Sequence, residues 1–136
     1  MLFPTAVATD RGGVIPTAHL QALQDAGLYG IFSTESVGGS NLSNANRDLV
    51  IEALAGGCLT TTFIWQQHAG PATATALCDG EAHRYAAGLA KGETRGGVAF
   101  AHLLRQGAPV LRAEPCSDGW LVSGTAPYIT GWGDVD

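Results

Sequence analysis

The side chains with chemical potential are few and scattered. Four histidines occur, at His19, His68, His83 and His102, and three cysteines, at Cys58, Cys78 and Cys116. His19, His68 and His83 fall on expected helices with no carboxylate or cysteine at ligand spacing, so no metal site is expected. The cysteines are odd in number, widely spaced and without a Cys-x-x-Cys pair, which points to reduced thiols packed as small hydrophobes. Glu52 and Glu81 lie on helices, where solvated or capping roles suffice. Two stretches carry more. In "TTTFIWQQHAG" the adjacent amides of Gln66 and Gln67 must find partners wherever they turn inward, beside Phe63 and Trp65. In "APYITGW" an aromatic face at Tyr128 and a hydroxyl at Thr130 stand two residues apart, which by composition alone also describes an ordinary strand.

Paired glycines at 12–13, 38–39, 56–57 and 96–97 sit at element ends, and none forms a Gly-x-Gly-x-x-Gly or phosphate loop. The 136 residues carry a net charge of -5, leaving no basic surface for a nucleic acid or an anionic membrane. No leader-like or membrane-spanning apolar run is present, so a cytoplasmic protein is expected. A hydrophobic share of 46% suits one ordinary folded core.

The elements that must position these residues divide into two textures. In "IPTAHLQALQDAGLYG", Pro16 suits a first helical turn, Leu20, Leu23 and Ala26 recur on one face, and Gly27 suits a left-handed cap. Ser43 or Asn44 caps a second helix whose expected inner face is Leu49, Ala53 and Leu54, with Val50 beside them. "CLTTTFIWQQHAGP" reads as a buried helix stopped by Pro71, followed by a short helix over "ATATALCDG". "EAHRYAAGLAKGE" reads as one more helix, with Tyr85, Leu89 and His83 inward. From Gly97 the period changes to that of strands, in "VAFAHLL", "PVLRAEP" and "GWLVSG", with Asp118-Gly119 as a hairpin signal. The expected fold class is therefore α+β, with an all-helical bundle over 1–95 and the first strands of an incomplete β domain over 96–136. Strands without a sheet to complete them leave open edges, so the chain is expected to stop in mid-domain.

The order "DAGLYGIFSTESVGG", "VIEALAGG", "GLAKGE" and "SGTAPYITGWG" resembles the acyl-CoA dehydrogenase family over essentially the whole chain. In the last phrase Gly124, Thr125, Ile129 and Thr130 match the family's Gly-Thr-Lys-x-Trp-Ile-Thr-Asn strand, while Tyr128 replaces its Trp and Gly131 its Asn. The resemblance implies a helical N-terminal domain, a middle β domain and a C-terminal helical bundle, with FAD between the latter two. It implies α,β-dehydrogenation of an acyl thioester, with hydride passing to the flavin. The family's carboxylate base lies in the C-terminal bundle, so no catalytic residue is assigned here.

By the same resemblance Tyr128, Ile129 and Thr130 lie against the flavin, with Thr130 offering a hydroxyl or backbone donor. Phe100, Ala101 and His102 fall where the family's second flavin stretch begins, His102 in place of a threonine. The family's Gly-Ser-Asp loop, which helps to hold the CoA-bearing ligand, is missing or shortened in "AFAHLLRQGAP". Phe63, Gln66 and Gln67 fall on the helix lining the acyl pocket. The implied partners are an acyl-CoA or related thioester and further copies of the protein. The alternative from another class is a non-catalytic remnant that serves as a scaffold or oligomerisation domain without flavin.

Overall fold

The computed structural model describes residues 2–100 and 106–136. Ala101 and His102, two of the expected flavin neighbours, lie outside the described residues. Six α-helices precede one β-hairpin among the described residues: α1 (Leu2–Gly12), α2 (Thr17–Asp25), α3 (Asn44–Gly57), α4 (Leu59–Gln66), α5 (Ala69–Leu77), α6 (Ala86–Lys91), β1 (Leu111–Cys116) and β2 (Gly119–Gly124). Short 3-10 segments at Leu28–Phe32, Glu35–Val37 and Glu81–Tyr85 join the helices. A helical region followed by a small antiparallel sheet is the α+β arrangement expected.

Local signals explain several boundaries. Gly27 adopts φ 69° after α2, the left-handed turn that glycine takes without a steric penalty. The Ser43 hydroxyl accepts from the Asn46 N–H at the start of α3, so Ser43 is the cap. The hairpin pairs Leu111 with Gly124 and Cys116 with Gly119, which leaves Ser117 and Asp118 as its two-residue loop. Gly119, at φ 135°, belongs to the strand rather than to the turn.

Other boundaries differ from expectation. The first helix, α1, carried no sequence expectation; it is held by tertiary contacts, with Thr9 buried and Thr5 hydrogen-bonded to His19 of α2. The stretch expected to end at Pro71 is broken earlier, at Gln67 and His68, and Pro71 lies inside the first turn of α5. There its missing N–H deprives the helix of nothing, because first-turn N–H groups have no intrahelical acceptor. In α3 the inner face is Val50, Ile51 and Leu54, while Leu49 points to solvent. The last helical stretch splits into a 3-10 segment and α6; Leu89 is buried, but Tyr85 and His83 are exposed. Strand structure was also expected at 98–101 and through "SGTAPYITG". Val98 to Phe100 lie outside regular strand, and β2 ends at Gly124, after which Pro127 and a turn over 130–134 interrupt pairing.

The core forms where the 3-10 segment Leu28–Phe32 crosses the bundle. Tyr29, Ile31 and Phe32 pack with Leu23 of α2, Trp65 of α4, Ala72 of α5 and Leu89 of α6. Gly30 lets that segment approach α6 closely, since a Cβ there would stand 3.1 Å from the Ala90 carbonyl oxygen. The hairpin contributes nothing to this core: every β2 residue is exposed, including Trp120, Leu121 and Val122. No helix among the described residues is long and apolar enough to cross a membrane.

Candidate functional site

One groove of about 320 Å³ is lined by Phe63, Gln67, Val98, Phe100, Tyr128 and Thr130. Its volume is at the lower end of the range for small-molecule sites, about 300–1,000 Å³. The helical side contributes the outer face of α4. Because α4 turns Thr61, Thr62 and Trp65 into the core, the helical period leaves Phe63 on the opposite face, 53% exposed. Gln67 follows at i+4 from Phe63 and donates from Nε2 to the Phe63 carbonyl at 3.4 Å. The other amide hydrogen and the Oε1 atom of Gln67 remain for a ligand.

The opposite wall is two lengths of chain that meet main chain to main chain. The Thr130 N–H donates to the Val98 carbonyl at 3.2 Å. That bond consumes the backbone donor of Thr130, so its hydroxyl is the group left to offer a ligand. Gly97 makes the approach possible: a Cβ there would stand 2.8 Å from the Thr130 carbonyl oxygen. Phe100 at 56% exposure and Tyr128 at 59% turn aromatic surface outward beside Phe63. Large aromatics half-exposed around a single groove suit a flat ligand with an apolar face and a polar edge.

A second, wider groove of about 580 Å³ adjoins it, lined by Gly124 to Ile129 and Trp132. Tyr128 belongs to both, and Ile129 faces only this one. The expected residues therefore separate into three sets. Phe63, Gln67, Phe100, Tyr128 and Thr130 come together; Ile129 lines the adjacent groove; Gln66 is exposed on α4 outside both.

Two residues had no role expected from sequence. Val98 forms part of the groove wall. His68 sits directly behind it, buried and edge-on to Tyr29 with ring centroids 4.9 Å apart. Its Nε2 donates to the Leu89 carbonyl at 2.9 Å, and its Nδ1 accepts the Gly96 N–H at 3.0 Å. A carbonyl only accepts and an N–H only donates, so the two partners fix the neutral tautomer protonated on Nε2. Burial lowers the His68 pKa to about 4, partly offset by the bond to Leu89, which favours the charged form. No sequence signal could have found this arrangement, because both partners are main-chain atoms.

Comparison with known proteins agrees with the architecture. A family model described as the acyl-CoA dehydrogenase N-terminal domain matches residues 1–93. The 3-sulfinopropanoyl-CoA desulfinase of Variovorax paradoxus is 37% identical over 57 residues, which are 42% of this chain. The matched stretch spans 14% of that relative's length. No solved structure matches the chain. A helical region carrying that N-terminal domain, followed by a small antiparallel sheet, places the chain in the acyl-CoA dehydrogenase family.

Proposed function

We propose that the chain forms the N-terminal part of a flavin-dependent oxidoreductase acting on an acyl-CoA thioester. The groove between α4 and the 98–100 and 128–130 segments would receive the flavin edge and the adjoining acyl chain. The supporting observation is convergence: Phe63 and Gln67, expected at the acyl pocket, and Phe100, Tyr128 and Thr130, expected at the flavin, line one groove. FAD, when bound, supplies a hydride acceptor. The chain's own part is orientation and electrostatics. Phe100 and Tyr128 offer aromatic faces to a planar ring, and the Thr130 hydroxyl offers a fixed donor to its polar edge, where negative charge accumulates. The Gln67 amide offers both a donor and an acceptor to a thioester or its α-substituents. In this reading the helical unit is 1–95, 96–136 opens the β domain, and the catalytic base comes from elsewhere in the complete protein. The complete protein assembles with further copies of itself.

The name of the Variovorax relative favours a second reading of the substrate, in which the acyl-CoA carries a sulfinate group that is removed. One experiment separates the outcomes. The protein, purified in its complete native form, is mixed anaerobically with saturated acyl-CoA thioesters and with a 3-sulfinoacyl-CoA. Bleaching of a flavin band by the saturated thioester is expected for dehydrogenation. Sulfite release without lasting bleaching supports the second reading. A colourless protein that binds no added FAD overturns both and leaves the scaffold or oligomerisation alternative.

A further inference from the structure

The groove wall lies against the bundle through Gly96 on Pro71 and Val98 on Gly70, and among the described residues a bundle side chain, His68, also holds it by a hydrogen bond from behind. His68 lies where α4 gives way to α5, one residue after Gln67, and is 1% exposed. Through Nδ1 it takes the N–H of Gly96, on the segment that leaves α6. That segment is also bound on its far side. The Arg95 N–H donates to the Asp136 carboxylate at 2.8 Å, and the Asp136 N–H donates back to the Arg95 carbonyl at 2.9 Å. Gly97 lies flush against the Thr130 carbonyl, and Val98 accepts the Thr130 N–H. Residues 95–98 are thus a short strap with the imidazole on one side and the Thr130–Asp136 turn on the other.

We infer that His68 is a positioning residue for the groove: its Nδ1, by holding the Gly96 amide, sets where Val98 and Thr130 stand relative to Phe63 and Gln67. The functional weight of this inference rests on the reading of the groove given above, whereas its geometry stands without any ligand. The competing account is that His68 acts only as a buried ring packed on Tyr29. The two bonds of the imidazole distinguish these accounts, since each can be kept while the other is removed. In His68→Asn the side-chain oxygen occupies the place of Nδ1 and still accepts from Gly96, but nothing reaches Leu89. In His68→Gln the terminal amide occupies the place of Nε2 and still donates to Leu89, but no acceptor faces Gly96. Both substitutions remove the ring.

The test is hydrogen–deuterium exchange on the complete native protein at neutral pH, after removal of any bound flavin and with no thioester added. In His68→Gln the Gly96 and Thr130 amides are expected to exchange about 10-fold faster than in the wild type, the equivalent of one lost hydrogen bond. In His68→Asn both are expected to keep the wild-type rate, and the α3 amides are expected to be unchanged in both variants. The inference is overturned if Thr130 stays protected in the Gln variant or loosens in the Asn variant. It is equally overturned if α3 loosens as much as Thr130 in the Gln variant, which would make His68 a core-packing residue. Because no flavin enters the assay, a colourless native protein would leave this result standing, and failure here would leave the flavin reading open.

Discussion

Acidification should destabilise the fold through His68. The imidazole is neutral and buried, with its pKa lowered to about 4 by desolvation, against 6.5 for an unperturbed histidine. The folded value is the lower one, so between these limits the unfolded chain takes up a proton that the folded chain refuses. The stabilisation is therefore whole above pH 6.5 and is lost as pH falls towards 4. One proton's worth of linkage is about 1.4 kcal/mol per pH unit, which integrates to about 2 kcal/mol lost by pH 5 and about 3 kcal/mol by pH 4. Urea unfolding followed by tryptophan fluorescence is a suitable assay, since Trp65 is buried in the core while Trp120 and Trp132 are exposed. Other parts of the molecule contribute to any overall pH dependence, so the informative quantity is wild type minus His68→Asn at each pH. That difference should shrink steadily from neutral pH to pH 5, by about 2 kcal/mol. A difference independent of pH would refute the reasoning, because it would mean that His68 changes its proton affinity little on folding.

Three further outcomes concern the groove. In the complete protein, Tyr128→Trp enlarges the aromatic surface shared by the two grooves and should give equal or slower FAD loss on dilution; faster loss would contradict a stacking role. Thr130→Val keeps the backbone bond to Val98 and removes only the hydroxyl, so flavin reduction at saturating substrate should slow about 100-fold, about 3 kcal/mol, with little change in substrate binding. Rapid-mixing absorbance measures both quantities, and an unchanged rate would remove Thr130 from the charge-stabilising role. Gly97→Ala puts a methyl group against the Thr130 carbonyl and should cost about 1–3 kcal/mol in urea unfolding with helical circular dichroism unchanged.

What the sequence made legible was whatever depended on near neighbours. Gly27 as a left-handed cap and Ser43 as a helix cap are local devices that do their expected work within a few residues, and the hairpin forms at the Asp118-Gly119 signal with its loop one residue earlier, at Ser117 and Asp118. The inner face of α3 was only partly found: Leu54 and Val50 pack on the core, but Leu49 and Ala53 are exposed and Ile51 takes their place, because apolar residues surround the helix at 49–51 and only tertiary packing decides among them. α1 was missed because its Thr, Val and Gly content carries no strong period, and what holds it is tertiary contact, including a hydrogen bond between Thr5 and an imidazole fourteen residues away. Pro71 misled because proline has the same local chemistry in a first turn as after a last one. The groove residues were reached through family likeness rather than residue pattern. Phe63 and Tyr128 lie far apart in sequence, and no periodicity links them. His68 lay beyond both routes, since its partners are the main chain of Leu89 and Gly96 and any residue type could have supplied those atoms.

The longest helix in the fold, α3, has no completely buried residue; it rests on the core through the half-buried Val50, Ile51 and Leu54. Gly56 and Gly57 are its last two residues. Its packing partners are α4 and α1, so the cost of opening it includes those contacts as well as the three side chains and the Ser43 cap. α4 carries Phe63 on its other side, so α3 backs the helical wall of the groove, whereas the His68 bonds to Leu89 and Gly96 involve no α3 residue. Opening of α3 is therefore expected to be felt first at the α4 wall of the groove and last at the strap.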